Sequence, residues 1–247
     1  MGTEPVEYCR EIERYLCQKN DGHLIRIVGP SFDRVCSWAS RGVPFKVACR
    51  GIDRYVERYY AKGPRRRPVR IDFCEADVLD VFDEWRRAVG LPANVAAGPS
   101  GDATEPGDAA GPEESSTRRG PSLPSHLERV LLRLTAARTS GKVDARFDLV
   151  LDQVGRELDL ARGDARGIRG DARRDLLDRL AALDREMLAA ARAALSDAEL
   201  GRLVEDAEDE LSPFRAVMVA EAFARARTNA TDRLLRERFA LPTLTFF

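Results

Sequence analysis

Apolar residues recur at helical spacing along most of this chain, and the interruptions divide it. Over residues 6–19, Cys9, Ile12 and Leu16 share one stripe with Tyr8 and Tyr15 beside it, which predicts a helix closed by Asn20-Asp21-Gly22. Residues 23–28, HLIRIV, are short and rich in branched side chains, the signature of a strand. After Gly29-Pro30, Ser31 is a candidate N-cap for a helix that turns Phe32, Val35, Cys36 and Ala39 inward. Residues 44–63 form the most regular stretch, a helix entered at Pro44 and left at Gly63. Projected at about 100° per residue, it gathers Ala48, Cys49, Ile52, Tyr55, Val56 and Tyr59 on one face, with Lys46, Arg50, Arg54, Arg58 and Lys62 opposite. A second strand is expected over 69–73. A helix over 75–89 then turns Val78, Phe82, Trp85 and Val89 inward, with Asp77, Asp80, Asp83 and Glu84 mostly outward.

The pattern stops at Gly90. Gly, Pro, Ala, Ser and acidic residues dominate up to Pro124, without an aromatic side chain, a composition that cannot bury enough apolar area to offset the ordering of the chain. Residues 91–125 are therefore expected to be a disordered Pro/Gly/Ala linker between an N-terminal domain, 1–90, and a C-terminal domain, 126–247. The second half reads as helix throughout. One helix opens on the capping-box pattern Ser125-His126-Leu127-Glu128, and another starts near Asp144 with Phe147, Leu151, Val154 and Leu158 inward. The duplicated RGDAR within 162–174, broken by Gly163, Gly167 and Gly170, reads as a loop. A long leucine-striped helix over 171–195 follows, then a second capping box, Ser196 to Glu199. That helix ends in the acidic run 205–210, and Ser212-Pro213 opens the next. A last helix over 231–239 precedes an apolar stretch, LPTLTFF, expected to fold back on its own bundle or to dock into a partner or second copy. The fold class that results is mainly α: a small N-terminal helical domain with two short strands, winged-helix-like in order, and a C-terminal helical bundle.

Composition narrows the functional classes. The chain has 247 residues and a net charge of −1 although 33% of its residues are charged, so any electrostatic function must be local. Arginine supplies nearly all the positive charge, a bias of GC-rich, bacterial genomes. The five cysteines all precede residue 75 and form no C-x-x-C pair, which suits reduced, buried thiols and a cytoplasmic location. No apolar run approaches the roughly 20 residues that span a bilayer, so no membrane association is expected.

Candidate chemistry is sparse. His23 and His126 are the only side chains whose ordinary pKa suits neutral-pH base catalysis, one at a strand start and one at a helix start. No G-x-G-x-x-G, P-loop, H-E-x-x-H or EF-hand loop occurs, so no catalytic residue, metal or cofactor is assigned. Charge supplies a better candidate. Residues 44–70 hold nine basic side chains, Lys46, Arg50, Arg54, Arg58, Lys62, Arg65, Arg66, Arg67 and Arg70, against two acidic ones, Asp53 and Glu57. That local field suits contact with DNA or RNA phosphates.

The order of helix, strand, helix, Gly-containing turn, basic helix, arginine-rich segment and strand resembles a winged helix-turn-helix. W-x-x-x-G-V-P at Trp38 to Pro44, a helix with Ile52, and a helix ending in Trp85 is similar to DnaD-type primosome modules over residues 31–87. The resemblance implies a recognition helix from Pro44, an arginine wing at 65–70 and an accessory role in DNA replication or regulation. Trp38 departs from the pattern, standing where such motifs carry a small residue. Two other classes stay open: a protein–protein adaptor or scaffold without nucleic-acid binding, and an enzyme of unrecognised class. Carboxylates lying against the basic helix would speak against nucleic acid, and an apolar groove on the C-terminal bundle would speak for an adaptor.

Overall fold

The computed structural model describes residues 4–61, 63, 67–91, 122–165 and 167–246. Among them the regular elements are helices: α1 (Pro5–Lys19), α2 (Pro30–Ser40), α3 (Phe45–Tyr60), α4 (Glu75–Val89), α5 (Leu123–Thr139), α6 (Ala145–Asp164), α7 (Gly170–Ala193), α8 (Asp197–Leu211) and α9 (Ala220–Phe239). The mainly-α expectation holds, and the two expected strands do not. A strand needs a neighbouring strand to take its backbone groups, and here side chains take them instead. Cys17 Sγ accepts from Ile25 N at 3.3 Å and Glu13 Oε2 from Ile27 N at 3.3 Å. Around residue 69 the buried amide of Asn20 does the same for both groups of Val69, accepting from its N–H at 2.6 Å and donating to its carbonyl at 3.2 Å. Ile71–Phe73 then closes into a 3-10 turn. The expected linker, 91–125, lies outside the described residues save for Leu91 and 122–125.

Helix ends follow local chemistry. Pro5 and Pro30 occupy first-turn positions of α1 and α2, where a missing N–H costs nothing. Gly90 ends α4 in a left-handed conformation, φ 78°, as Leu91 N bonds back to Arg86 O. Asp144 caps α6 through Phe147 N at 2.7 Å. At α8 the expected capping box forms reciprocally, with Ser196 Oγ accepting from Glu199 N and Glu199 Oε2 from Ser196 N. At α5 the helix begins earlier than expected, with Ser122 rather than Ser125 as cap.

The chain forms two compact units. The first comprises residues 1–102 together with 205–230, and the second 103–204 together with 231–247. The expected division gave all of 126–247 to the C-terminal bundle, whereas the acidic half of α8 and the first half of α9 lie in the first unit. Its core is Ile12, Leu16, Val35, Trp38, Ile52, Val78 and Phe82, and Trp85 stacks on Phe82 at 5.7 Å and meets Phe214 at 5.8 Å. Trp85 Nε1 donates to the buried Glu210 at 2.9 Å. Helices α3 and α4 approach closely at Gly51, where a Cβ would stand 2.4 Å from Val78 Cα. In the second unit, Leu127, Leu134, Phe147, Leu151, Leu158, Leu180 and Met187 form the core. The stretch after α9 folds back onto it: Leu244 is fully buried, its N–H bonded to Asp184 Oδ1 at 2.9 Å and its carbonyl accepting from His126 Nε2 at 3.2 Å.

Candidate functional site

The basic face of α3 is the first candidate, and the structure commits most of its cations to carboxylates. Arg58 donates two parallel bonds to Asp77, Nη1 to Oδ1 at 2.8 Å and Nη2 to Oδ2 at 2.7 Å. Arg54 Nε stands 3.8 Å from the same Oδ1, and its Nη1 donates to Glu84 at 3.1 Å. Lys46 Nζ lies 2.7 Å from Asp206, on the part of α8 that belongs to this unit. Arg70 lies 3.3 Å from Asp72. Asp77, expected on the outward side of α4, is only 3% exposed, because Gly51 lets α4 press so closely on α3 that the carboxylate beside Val78 is covered. A carboxylate buried to this degree needs its cations, so Arg54 and Arg58 are structural counter-ions of Asp77. Arg50 is half-buried, and Arg67 is exposed with no carboxylate pair among the described residues. Lys62, Arg65 and Arg66 lie outside the described residues.

Beside this neutralised face stands a row of aromatic rings. Phe73 is 59% exposed and lies on Tyr55, centroids 6.3 Å apart and planes 12° from parallel. Tyr55 stacks on Tyr59 at 6.0 Å, and Tyr59 meets Tyr60 edge-on at 5.2 Å. The Arg58 guanidinium covers Tyr55 at 5.4 Å, and Tyr59 Oη donates to Arg67 O at 3.2 Å. The helical spacing of Tyr55 and Tyr59 was legible as an inward face. Phe73 was not legible as their partner, since an alternating strand over 69–73 leaves no reason for its ring to lie along α3.

The two histidines and the three buried cysteines are engaged in the fold. Burial pushes the Cys9 thiol up to about 11 and those of Cys49 and Cys74 to about 12, the opposite of nucleophile activation. His23 Nδ1 donates to Asn20 O at 2.9 Å and His126 holds the Leu244 carbonyl, so both imidazoles serve the fold. A concavity of about 420 Å³ at the start of α3 is lined in part by Tyr8, Phe45, Lys46, Asp206 and Asp209, with no histidine or cysteine in its wall. No group of three or more His, Cys, Asp or Glu side chains among the described residues is arranged to hold a metal ion, and no described helix is long and apolar enough to cross a membrane. Set against protein-family models, curated proteins and solved structures, the chain matches none of them.

Proposed function

We propose that this protein is a non-enzymatic binding module that docks another protein through the aromatic row at the end of α3. The observation that carries this reading is the row itself: exposed Phe73 stacked on Tyr55, which stacks in turn on Tyr59, beside arginines whose charge is already balanced. Tyrosine, phenylalanine and arginine are enriched at protein interfaces, and tyrosine and arginine are among the residues that concentrate binding energy there. A phosphate backbone, in contrast, draws on cations free to leave their partners, and Arg54 and Arg58 hold a buried carboxylate.

The test places a photo-crosslinking phenylalanine analogue at position 73 of the full chain in cells, with an outward control at Leu132. A discrete polypeptide adduct at 73 and none at 132 is expected. Nucleic-acid adducts at 73, or no adduct there, would overturn the reading. Contact with single-stranded nucleic acid is the second reading, favoured by one specific feature: exposed Arg67 beside stackable rings, an arrangement on which bases can pile.

A further inference from the structure

Residues 23–28 form a run with no regular structure, whose burial alternates residue by residue as extended chain does: Ile25 and Ile27 turn inward, Leu24, Arg26 and Val28 outward. Its inner edge is satisfied, since the N–H groups of Ile25 and Ile27 bond to Cys17 and Glu13 of α1. In extended chain the intervening N–H and C=O groups point to the opposite edge, and those of Leu24, Arg26 and Val28 have no bonding partner among the described residues. The side chains there are equally unpartnered. Leu24 is 81% exposed and Val28 67%. Beside them lies a groove of about 410 Å³ lined in part by Val6, Arg10, Leu24, Arg26, Ile27 and Phe32.

We infer that residues 24–28 are a docking edge for an extended segment of a partner protein in which apolar residues alternate with carboxylates. An open edge of backbone donors and acceptors recruits an added strand, with alternate side chains giving specificity. Charge chooses the occupant. Arg10 and Arg26 are exposed and make no ion pair among the described residues, while Glu13, the one carboxylate among the described residues lining the groove, is turned to Ile27 N. A second copy fits poorly: antiparallel pairing centred on Arg26 sets arginine directly against arginine. The chain's own residues 92–121 fit no better, being interrupted throughout by proline and glycine. This inference rests on residues other than those of the aromatic row, and separate substitutions remove each, so either surface can fail without the other.

Short random peptides displayed on phage, panned against the full-length protein, test it. Selected peptides are expected to alternate branched or aromatic residues with Asp or Glu. They should bind the Leu24→Lys/Val28→Lys variant about tenfold or more weakly, and should slow amide exchange at Leu24, Arg26 and Val28. Panning against Arg26→Glu should replace the selected acids with Lys or Arg. All three substitutions sit on exposed side chains, and unchanged circular dichroism verifies the fold of each variant. Selection of no peptide, selectants indifferent to the double substitution, or self-association of the wild-type protein lost in Leu24→Lys/Val28→Lys would each overturn the proposal.

Discussion

At Asp77 a single side chain changes the meaning of the most basic helix in the chain. Its burial makes counter-ions of Arg54 and Arg58, although both stay exposed, and this predicts a specific pattern of mutational effects. Arg54→Ala with Arg58→Ala should lower the unfolding midpoint, and adding Asp77→Asn should restore much of the loss, because what the arginine variants leave behind is an unpaired buried charge. If Asp77→Asn worsens the double variant, the carboxylate is not the liability described. The thiols supply an independent check on burial. With folded values near 11 to 12 for Cys9, Cys49 and Cys74, these three should resist an aromatic disulfide reagent at mildly alkaline pH until the chain is unfolded. Rapid labelling of any of them in the native state would contradict their placement.

Among the elements, the helices were legible because their apolar spacing is long and regular, while the two short apolar runs were not. Both 23–28 and 69–73 have the branched residues of strands, yet strand pairing is a property of two segments. Nothing in HLIRIV or VRIDF announces that Cys17, Glu13 and Asn20 will take the backbone groups. The cationic stripe was legible as a pattern but not its partners, since Asp77 comes under α3 only through the approach that Gly51 permits. That approach predicts that Gly51→Ala costs about 1–3 kcal/mol by overpacking, although alanine is intrinsically the better helix former by about 1 kcal/mol. Urea denaturation measures the net sign, and a stabilised variant would show that the helices separate freely. The α8 capping box carries a pH signature. Bonds from Ser196 N–H and hydroxyl hold the Glu199 carboxyl below its ordinary 4.5, so its contribution is present above that value and is lost as pH falls through the lower folded one. Glu199→Gln should therefore lower stability at neutral and alkaline pH, where the charged carboxyl contributes, and flatten the fall on the acid side.

For the molecule as a whole, composition set a boundary at 91–125, but it could not show that 205–230 returns to the first unit, because a distant acidic helix reads the same wherever it packs. Trp85, bonded to Glu210 and set against Phe214, reports that return. Protease cleavage within 93–119 should leave fragments that co-elute, with Trp85 emission unchanged until denaturant separates them. Fragments that part under native conditions would contradict the assignment of 205–230 to the first unit. On α3, Lys46, Arg54 and Arg58 are exposed but pair with Asp206, Glu84 and Asp77, and the proposed protein contact falls to the aromatic row. Fluorescence anisotropy with labelled single-stranded and duplex oligonucleotides, from about 50 to 200 mM salt, tests this most directly. No saturable binding is expected near physiological salt, and no change at any salt on replacing Arg54 and Arg58. Tight binding that falls steeply across that salt range and is abolished by Arg54→Ala/Arg58→Ala in a folded protein would contradict it.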